Sequence, residues 1–323
     1  MAPHHELVCP ACRRTFSPGH LVCPDDGGRL RRFLVGRIVH GRAVEALIDV
    51  VPAGLVYHAR NVGLDRAETL LALDPLVGVQ QIERFRRELQ ARARLRTPHV
   101  PRLFEVALRS EAVDDPAAEV TAEPFVFREM VGGRSLDALL AEGPQSPERA
   151  ARLVYQLADA VSAAHREGLV HGALRPQAVR ILTDHRGDTV ACLLGLGLPR
   201  PRADDPEVAA WIAPEAFDAA APGRRADLYG LGLTLYSLLR GSNPRAAVPM
   251  EQGPFARVEV ELPPLGLDEP PGLEALVSSL LARDPDARMA DPERLRACLE
   301  ALELVPSAAG MADARGRFER SLA

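Results

Sequence analysis

The apolar pattern changes its period at Gly132–Gly133, and that change restricts the fold more than any other feature of the chain. Before it, from Phe33 to about Ala107, short apolar runs alternate with turns: Val35 to Val39, Val44 to Val50, Leu55 to Ala59 and Thr69 to Leu73. Val100 to Leu108 and Pro124 to Val131 carry the same strand pattern, and Gln80–Arg96 reads as an amphipathic helix rich in arginine. After the glycines the pattern is helical. Ser135–Ala141 is capped by Ser135, Pro147–Glu167 opens on proline and charge and stops before Gly168, and Ala226–Arg240 is apolar enough to be buried. Leu273–Ala282 and Pro292–Leu304 close the helical part, and the proline-rich stretches 199–206 and 263–271 read as loops. The expected class is α+β, with a sheet-rich body over about 33–133, a helical one over about 134–304, and a short tail over 305–323.

Residues 1–32 belong to neither pattern. They are rich in Cys, Pro, Gly and Arg, have almost no apolar period, and need a staple such as a metal to hold a shape. Val8-Cys9-Pro-Ala-Cys12 and Val22-Cys23-Pro-Asp-Asp26-Gly27 are two similar pieces, each with candidate ligands at i and i+3, the spacing that turns backbone N–H groups toward a bound thiolate. They resemble a zinc ribbon in which Asp26 replaces the fourth cysteine. The expected zinc ligands are therefore Cys9, Cys12, Cys23 and Asp26, with Asp25, His20 and the His4–His5 pair as competitors for the fourth place. Cys192 and Cys298 stand alone in apolar stretches and read as small buried hydrophobes.

The balance of charge, −5 over 323 residues, carries no polyanion-binding signature. Arg13, Arg14, Arg29, Arg31 and Arg32 make the first segment basic, but no aromatic pattern interleaves them, so nucleic acid is not expected as a partner. No apolar run approaches the length of a membrane span, and Met1 to Glu6 lacks the apolar core of a signal peptide, so a cytoplasmic protein is expected.

Six stretches, in order over roughly residues 33–304, resemble the bacterial serine/threonine protein kinase family. Gly168-Leu-Val-His171-Gly-Ala173-Leu-Arg175-Pro176 is similar to the catalytic loop H-R-D-x-x-x-x-N. Leu193-Leu-Gly195-Leu196-Gly197 stands where D-F-G belongs, and Trp211-Ile-Ala213-Pro214-Glu215 holds an intact A-P-E. Asp227-Leu-Tyr-Gly-Leu-Gly232 resembles the start of the buried helix after it, and Arg283-Asp-Pro285-Asp-Ala-Arg288 the late Asp-Pro-x-x-Arg turn. Phe85-Arg-Arg-Glu88 through Arg96-Thr-Pro98-His99-Val100 looks like the small-lobe helix and its turn. The resemblance implies a two-lobed kinase-like fold. It also implies four structural residues: Glu215 paired with Arg288, Asp227 accepting hydrogen bonds from the catalytic-loop backbone, and His171 in the column joining the lobes.

The positions that carry chemistry in this family depart from its pattern. Transfer of a phosphoryl group needs a lysine on the phosphates, metal ligands and an acceptor for the hydroxyl proton. Alignment of Glu68-Thr-Leu-Leu71-Ala-Leu-Asp-Pro75 with V-A-I-K puts Leu71 at the lysine, and the chain contains no lysine anywhere. The proton acceptor falls at Ala173, and the two metal ligands at Ala178 and Gly195. In Asp49-Val-Val51-Pro-Ala-Gly54-Leu-Val56-Tyr, only Gly54 and Val56 match the glycine-rich loop. Arg128 occupies the gatekeeper position and Arg180, between core-facing Val179 and Ile181, points to the adenine floor. Gly54, Val56, Glu88, Arg128 and Arg180 thus outline a vestigial pocket. Glu88, without its lysine, is expected to turn to Arg128, with Arg92 at i+4 as the other cation in reach.

These departures lead to the expectation of a pseudokinase that is not an enzyme and works as a signalling scaffold or allosteric module on protein partners. Structural zinc is expected, ATP and magnesium are not. The alternative is an atypical ATP-dependent serine/threonine kinase with rearranged residues, for which Asp184, Asp188 and Asp49 are the nearest acidic candidates.

Overall fold

The computed structural model describes residues 7–306 except 11, 18, 21, 52–53, 78, 111–120, 184–187, 201–205, 218–221, 250–251, 253–255, 258 and 267–269. His4, His5, Asp184 and most of the tail therefore lie outside the described residues. Contacts divide the chain into two units, Met1–Arg84 with Arg102–Met130, and Phe85–Pro101 with Val131–Ala323.

The first unit is built on antiparallel strands. β1 (Leu7–Val8), β2 (Thr15–Phe16) and β3 (Arg31–Arg32) form a small sheet in the order β2-β1-β3. The larger sheet contains β4 (Ile38–Val39), β5 (Arg42–Val51), β6 (Gly54–Asn61), β7 (Arg66–Leu73), β8 (Leu76–Val77), β9 (Leu103–Ser110) and β10 (Thr121–Glu129). Its path runs β4-β5-β6-β7-β10-β8, with β9 on β10. Period-two alternation sends Leu55, Tyr57, Leu70, Phe125 and Phe127 to one face, where they make an apolar cluster. Val8 of the small sheet is 0% exposed and joins that same cluster. Arg31 Nη2 lies 2.8 Å from Asp74 Oδ2, and the Tyr57 hydroxyl donates to the Arg32 carbonyl at 3.2 Å. The described part of the first segment, which has no apolar period, is thus packed onto the larger sheet through Val8 and the polar ties at Arg31 and Arg32.

The second unit is helical. α1 (Val79–Ala93) contributes its later turns, followed by α2 (Leu136–Leu140), α3 (Pro147–Arg166), α4 (Pro206–Ala209), α5 (Arg224–Arg240), α6 (Leu273–Leu280) and α7 (Pro292–Ala301). Local chemistry explains where they start: the Ser135, Ser146 and Asp291 side chains each accept a backbone N–H at the helix opening. A proline then follows Ser146 and Asp291, and Gly241, at φ 80°, ends α5. α3 and α5 carry the core, with Leu153, Leu157, Val161, Leu231, Leu235 and Leu238 at 0–1% exposure. Pro206 opens α4 inside a stretch whose prolines suggested a loop; proline at a first helical position loses no hydrogen bond. A short ladder of β11 (Arg134–Ser135), β12 (Val179–Thr183) and β13 (Thr189–Leu193) completes the unit. The α+β class and the sheet-then-helix order are those implied by the sequence.

Gly54 has a packing role in this sheet. It pairs with Leu73 across β6–β7, and an added Cβ would run into the Ala72 carbonyl oxygen and sit 2.8 Å from Leu73 Cα. Gly54→Ala is expected to lower unfolding free energy by about 1–3 kcal/mol, the usual cost of overpacking, as measured by urea denaturation.

Candidate functional site

The second unit organises its catalytic-loop region around one buried carboxylate. Asp227, in the first turn of α5, is 1% exposed. Its Oδ1 accepts the Gly172 N–H at 2.6 Å, and its Oδ2 accepts the His171 N–H at 3.0 Å and lies 2.8 Å from His165 Nε2. His171 is fixed from its other side, with Nε2 2.9 Å from the Leu194 carbonyl oxygen. Burial holds the His171 imidazole below its ordinary pKa; Asp227 and the Leu194 carbonyl oppose that shift, and the charges of Arg175 and Arg200 add to it.

A second frame stands below it. Arg288, 4% exposed, forms a bidentate pair with Glu215 at 2.6 and 2.8 Å and also donates to the carbonyls of Ala282 and Arg283. Two guanidiniums stand over the Tyr229 ring, Arg288 at 4.7 Å and Arg245 at 5.2 Å from its centroid.

The positions aligned with catalytic residues are placed as follows. Ala173 and Ala178 are buried at 4% and 8% exposure in and after the loop, and neither side chain carries a polar atom. Gly195 adopts φ 89°, a left-handed conformation that favours glycine, and a Cβ there would lie 3.4 Å from His171 Nε2. Leu196 is 1% exposed, and a Cβ on Gly197 would meet the Glu88 carbonyl oxygen and the Arg92 side chain at about 3.2 Å. Gly197 also takes φ 69°, so its left-handed backbone, together with this close approach to α1, favours glycine there. Val179 and Ile181 face the core, and Arg180 between them is half-buried on the opposite face of β12.

In the first unit, Leu71 pairs with Val56 on one side and Val126 on the other. The three are 3%, 5% and 0% exposed, so the aligned lysine position lies in an apolar cross-strand row. The next row holds His58, Thr69 and Arg128, with Arg128 8% exposed. Arg128 belongs to the first unit, whereas Glu88 and Arg180 belong to the second.

The cysteines of the first segment come together. Ligand atoms of Cys9, Cys12, Cys23 and Asp26 all lie within 4.8 Å of one another. Cys12 Sγ is 3.7 Å from Cys23 Sγ, matching the ~3.8 Å edge of a tetrahedron with zinc–sulfur bonds of about 2.3 Å. Gly28 N–H occupies Asp26 Oδ1 at 2.7 Å, while Oδ2 accepts from the Cys9 thiol at 3.1 Å. The thiol and the N–H hold the Asp26 carboxyl below the usual carboxylate range. Cys12 N–H points at Cys9 Sγ at 3.5 Å, and Gly27 turns the second piece at φ 69°. The competing groups are engaged elsewhere: Asp25 pairs with Arg14 at 2.6 Å, and His20 Nδ1 meets the Ser17 carbonyl at 3.3 Å. Three thiols and one carboxylate oxygen suit a tetrahedral metal ion.

Sequence reasoning overlooked the basic pair Arg175 and Arg200. Arg200 Nη2 donates to the Val170 carbonyl at 3.2 Å, and its Nε would lie 3.2 Å from a Cβ on Gly172. Arg175 was visible within the quoted loop motif; Arg200 has no local signal, since only the folded chain returns it to residues 170–172.

A sheet-built unit and a helical unit with this loop, buried aspartate and Glu–Arg pair define a protein-kinase fold. The kinase domain of PknI from Mycobacterium tuberculosis has that fold, with a TM-score of 0.61 at 22% identity over 84% of this chain and 98% of that domain. A sequence profile of the protein kinase domain matches residues 76–299, and the chain belongs to the protein kinase family. Serine/threonine-protein kinase PknL of M. tuberculosis is 30% identical over 271 residues, which cover 80% of this chain and 65% of PknL. Serine/threonine-protein kinase pkn3 of Myxococcus xanthus is 27% identical over 289 residues, 82% of this chain and 50% of its own length. The chain thus spans less than two thirds of these relatives.

The expectation that the chain is not an enzyme is overturned by these findings. The matched profile is the kinase domain itself, and the relatives are named as kinases. The expectation rested on the lysine, proton acceptor and metal ligands missing at Leu71, Ala173, Ala178 and Gly195, and did not weigh Arg175 within the loop or Arg200 returning to it. ATP and magnesium, set aside on that reasoning, are what the family normally uses. Among the described residues no helix is long and apolar enough to cross a membrane.

Glu215→Gln is expected to destabilise the protein by about 3 kcal/mol, because it leaves the Arg288 guanidinium buried without its counter-charge. Chemical denaturation of the wild type and the variant measures it, and a loss under about 1 kcal/mol would show that the carbonyl acceptors suffice.

Proposed function

We propose that the chain is an atypical ATP-dependent protein serine/threonine kinase with rearranged catalytic residues, acting in signalling on protein partners. The observation that carries this reading is the return of Arg200 to the loop around the buried His171, where it donates to the Val170 carbonyl at 3.2 Å, with Arg175 in that same loop. Phosphoryl transfer depends on positioned positive charge around the transferring group. Guanidinium suits that task, because its forked N–H groups match phosphate oxygens and it stays charged. The chain, which lacks lysine, uses arginine for that charge. The proton acceptor and the magnesium ligands then come from outside positions 173, 178 and 195. Asp188, half-buried just before β13, and Asp49 in β5 are the described acidic candidates.

Labelled ATP with magnesium and generic protein acceptors tests the reading. Transfer to serine or threonine is expected, falling on the order of tenfold or more in Arg175→Met as a phosphate-directed charge is lost. Absence of transfer, together with no thermal shift on adding ATP and magnesium, would sink the proposal, since a ligand that binds the folded form must raise its stability.

For the first segment the ion proposed is structural zinc, held by Cys9, Cys12, Cys23 and Asp26. Its chemistry is that of a closed tetrahedral site, in which the ion substitutes for a hydrophobic core. Elemental analysis of protein purified without chelator is expected to find one zinc per chain. The count should drop to the background of a chelated control in the double variant Cys9→Ala, Cys23→Ala; an unchanged count would place the metal elsewhere.

A further inference from the structure

We propose that Cys12 and Cys23 are an oxidation site: a peroxide joins them as a disulfide and thereby expels the metal ion from the ribbon. The expulsion rests on the zinc reading above; the thiol pair rests on geometry. The two sulfurs are already 3.7 Å apart. Cys12 is exposed, whereas Cys9 and Cys23 are 0% and 1% exposed. Peroxide therefore meets Cys12 first. Cys23 Sγ, 3.7 Å from Cys12 Sγ, is then placed as the resolving thiol.

The chemistry balances with one peroxide. The Cys12 thiolate attacks the O–O bond, which breaks; one oxygen stays on sulfur as the sulfenic acid and the other leaves as water after protonation. The Cys23 thiolate then attacks the Cys12 sulfur, the S–O bond breaks, and the second oxygen leaves as water. Two thiols and one hydrogen peroxide give one disulfide and two waters, the sulfurs supplying the two electrons that reduce the peroxide. Cys9 and Asp26 remain as a hydrogen-bonded pair, half of a tetrahedral ligand set, and the zinc ion departs as the hydrated cation. The consequence extends beyond the ribbon, because Val8, next to Cys9, is packed into the apolar cluster of the larger sheet.

The test uses the full chain in two arms. Zinc-loaded protein is treated with hydrogen peroxide while released zinc is followed with a colorimetric chelator, and free thiols are alkylated before peptide mass spectrometry. Zinc release in step with a Cys12–Cys23 cross-link, both reversed by reductant and added zinc, is the expected result. Cys12→Ser should abolish the cross-link and slow release by on the order of tenfold, because the accessible thiol is gone. In the second arm, protein stripped with chelator should form the same cross-link without metal. Cross-links confined to Cys9, or thiols at 12 and 23 left free in the stripped protein under peroxide that oxidises glutathione, would overturn the proposal. A starting protein that contains no zinc yet forms the cross-link would overturn the zinc reading alone. Mapping of the wild-type chain decides the pairing even if Cys12→Ser does not fold.

Discussion

The Asp227 carboxylate is 1% exposed and accepts the N–H groups of His171 and Gly172 while touching His165 Nε2. A buried carboxylate costs several kcal/mol unless its oxygens are occupied, so the loop that supplies those donors has to run where α5 puts the acceptor. Much of the second unit follows from that requirement. His171 is then set to reach Leu194, which fixes the turn at Gly195, and Gly172 takes φ 71° to present its N–H. The Glu215–Arg288 pair anchors the segment before α5, with Arg288 also donating to the Arg225 carbonyl at the start of that helix.

On this frame the charges are redistributed. By the family motifs, aspartates stand at the positions held here by Ala173 and Gly195, an asparagine at Ala178 and a lysine at Leu71. Leu71 completes an apolar row with Val56 and Val126, so the sheet gains packing where it would otherwise carry an ammonium. Cationic groups appear instead beside the loop, at Arg175 and Arg200. Architecture and chemistry vary separately because the Asp227 and Glu215 contacts stabilise the fold whether or not a nucleotide is handled.

The first segment uses another principle. It has too few apolar residues for a core, and its four ligand groups converge in the way a metal staple needs. It nevertheless belongs to the same contact unit as the larger sheet, since Val8, Arg31 and Arg32 tie it there. A sequence boundary at residue 32 marks a change of composition rather than a gap in packing.

Much of this was legible in the sequence, because it depends on local order. The change of period at Gly132–Gly133 separated strands from helices, the Ser135 and Ser146 caps marked helix starts, and the spacing of Cys9, Cys12, Cys23 and Asp26 predicted a cluster. Resemblance to the kinase family implied the roles of Asp227 and of the Glu215–Arg288 pair, and their contacts bear these out. What lay beyond the sequence concerns groups that meet only across the fold. Chain order does not reveal that Val8 is buried with Phe127, that Arg200 returns to residues 170–172, or that Gly54 is pressed against the Ala72 carbonyl. Residue types along the chain determined the elements and the candidate ligands; tertiary packing alone decided which cation stands beside His171, because that depends on distances between segments some thirty residues apart.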